Sequence, residues 1–124
     1  LGAAVAAPGR RVIALQADGS VMYTLQALWT MAREQLDVTT IVFNNSSYAV
    51  LNMELARVGA TAEGDKARDM LDLRRPDLDF VSLATGMGVS ATRATTSEEF
   101  VDQLKAALAT PGPTVIEAII PSIM

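Results

Sequence analysis

The feature that most constrains this chain is a strand–helix–strand alternation in which both apolar runs end in polar residues. Arg11-Val-Ile-Ala-Leu-Gln-Ala17 is short, mostly apolar and closed by Asp18-Gly19-Ser20, a turn signal. Thr39-Thr-Ile-Val-Phe43 is a second run, β-branched and followed by Asn44-Asn45. Continuous apolar runs of this length suit strands buried on both faces, as in parallel sheets. Between them Val21, Leu25, Leu28, Trp29, Ala32 and Leu36 recur at spacings of three and four, which predicts one amphipathic helix with Ser20 as its N-cap. Two strands joined this way run parallel with a right-handed crossover.

The alternation continues down the chain. A helix is expected around Phe80–Met87, stopped by Gly88 and followed by a strand over Val89–Ala94. Thr96-Ser97-Glu98-Glu99 has the form of a capping box, and Phe100, Val101, Leu104, Ala107 and Leu108 form the stripe of the helix it opens. Pro111-Gly112-Pro113 ends that helix, and Thr114–Ile120 reads as the last buried strand. Residues 1–7 resemble the last turns of a helix closed by Pro8-Gly9. The predicted fold class is α/β: a three-layer sandwich with a mainly parallel sheet. Half of the 124 residues are apolar, enough for one compact domain.

Residues 46–77 fit this scheme badly, being too long for an ordinary connection. Leu51–Val58 is expected as a short helix and Thr61–Arg68 as a polar, mobile stretch. Residues 46–70 are expected to be the least ordered part when no ligand is bound.

A polar cluster at strand ends points to chemistry, because ligands of open parallel sheets sit outside the carboxyl ends of the strands. Asp18 follows the first strand and Asn45 the second, so the two converge on one edge although 27 residues separate them. A carboxylate and an amide oxygen are hard ligands suited to Mg²⁺ or Ca²⁺. Gly19 permits close backbone approach to a phosphate, and the next helix starts there. The combination predicts a diphosphate–metal site. Either segment alone would mean only a capped turn or a loop start; their pairing across one helix carries the reading. The composition agrees by elimination. With no His and no Cys, serine-type triads, histidine shuttles, thiolate sites and disulfides are unavailable. A net charge of -4 without a basic stripe argues against nucleic acid. No apolar run reaches the roughly 20 residues of a membrane span, and a cytoplasmic location is expected.

The residues around this pair resemble a known motif. Ala17-Asp18-Gly19-Ser20, the helical stretch Thr24-Leu-Gln-Ala-Leu-Trp-Thr-Met-Ala-Arg33 and Val42-Phe43-Asn44-Asn45 are similar to the thiamine-diphosphate motif, which opens Gly-Asp-Gly and closes Asn-Asn after a fixed interval. The likeness runs from Leu1-Gly-Ala-Ala to Gly112-Pro113-Thr114-Val-Ile-Glu117. Ala27-Leu28-Trp29-Thr30 resembles benzoylformate decarboxylases. Ser47 to Gly59 and Arg75-Pro-Asp-Leu-Asp-Phe80 resemble acetolactate synthase large subunits. The motif is specific for cofactor class and weak for substrate. One departure is that Ala17 stands where the motif has its first glycine.

The resemblance implies a C-terminal thiamine-diphosphate-binding domain over residues 1–124, as a piece of a longer enzyme without its first strand and upstream domains. It implies Asp18, the Asn45 side chain and the Ser47 backbone carbonyl as Mg²⁺ ligands. Gly19 and Ser20 would contact the diphosphate, Tyr48 and Ala49 would lie along the cofactor, and Val50 would face the substrate. It implies 2-oxo acid chemistry, decarboxylation or carboligation, in a homodimer or homotetramer completed by the other domains. The glutamate that starts the family's proton relay comes from another domain. Glu54, Glu63, Glu98, Glu99 and Glu117 therefore read as surface or capping groups, no catalytic residue is assigned, and the chain alone is expected to be inactive. The competing reading is a non-catalytic domain that keeps the fold, with Ala17 as its one supporting feature.

Overall fold

The computed structural model describes residues 1–59 and 64–122. In chain order the elements are α1 (Gly2–Ala6), β1 (Val12–Ala17), α2 (Asp18–Val21), α3 (Ala27–Arg33), β2 (Val38–Asn44), α4 (Ala49–Arg57), α5 (Asp65–Asp69), α6 (Phe80–Gly86), β3 (Ser90–Ala94), α7 (Ser97–Ala109) and β4 (Thr114–Ile119). The four strands form one parallel sheet in the order β1-β2-β4-β3. The predicted α/β sandwich is therefore present, and every strand pair is parallel.

Register explains the layers. Val12, Ala14 and Gln16 pair with Val38, Thr40 and Val42, and this face carries the main core. There Val38, Val42 and Val115 pack with Ala4 of α1, Leu28 and Met31 of α3, and Phe80 and Ala84 of α6. The opposite face is covered by α7, whose Ala107, Phe100 and Leu104 pack on Ala94 and Ile116. That cover stops short of β1, where Ile13 is 50% and Leu15 63% exposed.

Two helical expectations need correction. The single helix from Ser20 is two short helices separated by tight turns, with i→i−3 bonds from Tyr23 to Ser20, Thr24 to Val21 and Ala27 to Thr24. These turns keep Val21, Leu25 and Leu28 on the core but swing Trp29 out, where the Arg33 guanidinium lies 4.9 Å from its ring centre. Met31 is buried instead. Ser20 caps nothing: the cap residue is Ala17, and no side chain closes that end. In α7, Val101 and Leu108 stay exposed while Thr96 and Glu99 form the predicted capping box.

The poorly fitting segment folds back on itself. Tyr48 N–H donates to the Leu71 carbonyl and Leu73 N–H to that of Ser46, an antiparallel bridge between Ser47 and Asp72. The expected short helix appears as α4, begun two residues earlier. The mobile stretch expected over 61–68 lies partly outside the described residues, as does Glu63.

Candidate functional site

Asp18 sits where β1 ends, and the β1–β2 register of Ala17 opposite Phe43 brings the end of β2 beside it. The residue is 3% exposed. Oδ1 accepts from the Gly19 N–H at 2.8 Å and Oδ2 from the Asn45 N–H at 3.1 Å. The two strand ends are thus tied through one side chain, at the edge the sequence indicated. The contact to Asn45 goes through its backbone. The Asn45 amide oxygen instead accepts from the Ser47 N–H at 3.0 Å, closing an Asx turn. A carboxylate has about four lone-pair sites and an amide oxygen two, so each oxygen here keeps acceptor capacity.

The turn between Asn45 and Ser47 needs an unusual backbone. Ser46 has φ +54°, the left-handed region. It is held by Asn44, whose Oδ1 accepts from the Ser46 N–H at 2.9 Å. Ser47 Oγ donates to the Leu71 carbonyl and accepts from Asn52 Nδ2, both at 3.3 Å. Asn45, Ser46 and Ser47 line a cavity of about 280 Å³ together with Leu71, Asp72 and Arg74. There the hydrogen bond from the Arg74 side chain pulls the Asp72 carboxyl down to about 2.

Gly19 is needed for space. A Cβ there would lie 2.3 Å from Cε1 of Tyr48, so the half-buried Tyr48 ring occupies the room a side chain would take. Ser20 is exposed, Ala49 begins α4, and Val50 is 64% exposed on that helix. Asp18, Gly19, Asn45, Ser47 and Tyr48 are therefore brought together, and Ser20 and Ala49 directly follow Gly19 and Tyr48 in the chain. Ala17 has φ −89° and ψ 154°, extended backbone that alanine adopts freely, and its side chain is exposed. The missing first glycine costs this site no backbone strain.

Glu117 was misread as a surface group. It is 1% exposed in the middle of β4. Its Oε1 accepts from Asn44 Nδ2 at 2.7 Å, and its Oε2 from Arg93 Nε at 2.7 Å. Arg93 also reaches Asp79 at 2.9 Å, and Asp79 caps α6 by accepting from the Ser82 N–H. The hydrogen bond to Glu117 raises the Arg93 pKa above its ordinary value, and those from Ser82 lower that of Asp79. The available signal was a charge inside the apolar run Thr114-Val-Ile-Glu-Ala-Ile119. Glu54, Glu98 and Glu99 behave as expected: Glu54 pairs with Arg57, Glu98 is exposed, and Glu99 closes the capping box. Among the described residues no three acidic, His or Cys side chains gather to hold a metal, so any cation here relies on one carboxylate and neutral oxygens.

A family model described as thiamine pyrophosphate enzyme, C-terminal TPP binding domain, matches residues 1–118. The chain belongs to the thiamine pyrophosphate enzyme family. Among relatives of this thiamine-diphosphate-binding domain, it is 56% identical over its whole length to a protein of Mycobacterium tuberculosis named for the acetolactate synthase large subunit, IlvX, covering 24% of that protein. It is 36% identical to a Pseudomonas aeruginosa benzoylformate decarboxylase, over 94% of this chain and 21% of the relative. A solved thiamine diphosphate-dependent 4-hydroxybenzoylformate decarboxylase of Rhodococcus jostii superposes with a TM-score of 0.87 at 38% identity, over 98% of this chain and 22% of that one. The chain thus spans about a quarter or less of these relatives. No helix among the described residues is long and apolar enough to cross a membrane.

Proposed function

We propose that this domain holds thiamine diphosphate through Mg²⁺ at the shared carboxyl edge of β1 and β2, within an acetolactate-synthase-like enzyme that acts on 2-oxo acids by decarboxylation and carboligation. The observation that carries the reading is the buried Asp18 carboxylate, fixed by one N–H from each strand end with acceptor capacity to spare. The donor set suits the ion. The Asp18 carboxylate, the Asn45 amide oxygen and the Ser47 carbonyl are hard oxygens, and three protein ligands leave octahedral positions for phosphate oxygens and water. Asp18 would be the one anionic ligand, and its fixed position avoids reorganisation when the ion enters.

Gly19 and Ser20 would meet the diphosphate, Tyr48 and Ala49 would flank the cofactor, and Val50 would face the substrate. When bound, thiamine diphosphate supplies an electron sink for the carbanion left as CO₂ departs. The residues of this site bind and orient, and acid–base chemistry would fall to the enzyme's other domains, where the family's relay glutamate lies. Homodimeric or homotetrameric assembly in the cytoplasm completes the proposal. It is supported by exposed apolar groups that invite cover: Leu51 and Met53 on α4, Val58 just past its end, and Ile13 and Leu15 on β1.

A second reading, a benzoylformate-decarboxylase-like enzyme, is favoured by the likeness to the Rhodococcus structure. Titration calorimetry on the full-length protein, with and without Mg²⁺, tests the shared core of both readings. Binding that requires Mg²⁺ is expected, and equally tight binding in a chelator overturns it. Turnover of aliphatic against aromatic 2-oxo acids then separates the two.

A further inference from the structure

We propose that Glu117, acting through Asn44, is a positioning residue that holds the Asn45–Ser47 turn in the shape the metal site requires. The inference rests on the reading of Asp18, Asn45 and Ser47 as Mg²⁺ ligands and deepens it. Val42, Glu117 and Arg93 stand side by side across β2, β4 and β3. From that row the Glu117 carboxylate reaches Asn44 on one side and Arg93 on the other.

An asparagine amide presents its oxygen or its nitrogen to a neighbour according to a half-turn of χ2. Because Glu117 accepts from Nδ2, the Asn44 oxygen is turned toward the loop, where it accepts from the N–H and the hydroxyl of Ser46. Those bonds hold Ser46 at φ +54°, a conformation non-glycine residues resist. The reversal at Ser46 then sets the Ser47 N–H on the Asn45 oxygen, while the Asn45 N–H meets Asp18. The carboxylate is itself fixed by Arg93, which Asp79 holds from outside.

Stability alone is a poor reason for this arrangement. Only the Glu117 side of its pair with Arg93 is buried, at 1% against 45% exposure, and a charge taken out of water in this way is often matched or bettered by an apolar residue of similar volume. An apolar residue at 117 would pack in the strand, yet it would leave the Asn44 amide free to turn over. What the carboxylate supplies is orientation.

The test uses the full-length protein, thiamine diphosphate titrated in the presence of Mg²⁺, and the thermal midpoint without cofactor. Glu117→Gln removes the charge that faces Arg93 and places an N–H₂ group against one of its two donor partners. It is expected to weaken cofactor affinity roughly 10–100-fold, the range for residues that orient a metal's ligands. Adding Ser46→Gly, which enters the left-handed region without strain, should recover most of that affinity while the thermal midpoint stays low. A merely structural role would move the midpoint and leave the affinity unchanged. That result, or an affinity loss that Ser46→Gly does not recover, overturns the proposal. Should the glutamine variant not fold, Asn44→Ala carries the same test, since it frees Ser46 and leaves the Glu117–Arg93 pair. Asp18→Asn is the control. Lost binding there with intact binding in Glu117→Gln refutes only the positioning role, whereas intact binding in Asp18→Asn refutes the metal site itself.

Discussion

Replacing Asp18 by alanine separates two contributions that the structure places on one side chain. Without cofactor, the Gly19 and Asn45 N–H groups lose a charged acceptor at 2.8 and 3.1 Å. Hydrogen bonds to charged groups contribute about 1.5–3 kcal/mol each. Asn45 is only partly buried, so water recovers part of the second. Removing the carboxylate of a residue that is 3% exposed also relieves its desolvation. The expected net loss is about 2–4 kcal/mol. With cofactor, the relevant quantity is linked stabilisation, about 2.7 kcal/mol when free ligand stands at 100 times its dissociation constant. Urea unfolding of the full-length protein, with and without thiamine diphosphate and Mg²⁺, reads both. Asp18→Ala should unfold earlier without ligand and gain nothing from ligand. Asn45→Ala should keep part of the ligand-dependent gain, since it loses a neutral oxygen that water can replace. If Asp18→Ala is destabilised yet keeps the full gain, the carboxylate is a strand clamp and the metal reasoning fails. If it loses the gain without unfolding earlier, the hydrogen bonds described are wrong.

Gly19→Ala should destabilise by about 1–3 kcal/mol through the clash with Tyr48, and a double-mutant cycle with Tyr48→Ala should show most of that cost vanishing. Thr96→Ala should cost about 1 kcal/mol in chemical denaturation by opening the capping box of α7. The Asp72 carboxyl, lowered from 3.8 to about 2 in the folded state, contributes stability that is present above about pH 4 and lost as pH falls through 2. Arg74→Ala should raise it toward its ordinary value in an NMR titration. Adding cofactor and Mg²⁺ should slow amide exchange at Tyr48 and Leu73, whose bonds tie the Ser46–Tyr48 and Leu71–Leu73 segments together; unchanged exchange at both would count against a site beside that bridge.

The adjacency of β1 and β2 was legible because apolar runs of strand length flank a helical period, and parallel pairing then fixes which edge Asp18 and Asn45 share. The capping box was legible because its two hydrogen bonds are local to Thr96 and Glu99. Ser20 misled because capping residues and turn residues are the same few types, and whether a helix starts at Asp18 or at Val21 depends on backbone angles. Trp29 misled because spacing alone cannot show that turns between Tyr23 and Ala27 rotate the following helix. Glu117 was missed for a different reason. Its partners Asn44 and Arg93 lie 73 and 24 residues away, and only the strand order makes them neighbours. The role of Gly19 was likewise hidden, since the ring that fills its space belongs to a residue beyond β2.

The sheet order carries a consequence for how the chain is made. β4, last of the four in sequence, lies between β2 and β3. During synthesis β1 and β2 can pair early, because a modest stretch of chain separates them, whereas β3 has no strand to join until residues 114–119 emerge. Until then β2 presents an open edge of Thr, Ile and Val, the kind of edge that recruits strands from other chains. The closing step joins residues about 75 apart and is entropically the slowest. Shortening the chain ahead of Thr114 should therefore strand β3, remove Glu117 and yield aggregates in place of a smaller folded domain. For the same reason, a tag or partner fused at the C-terminal end should leave folding intact provided that β4 is translated whole.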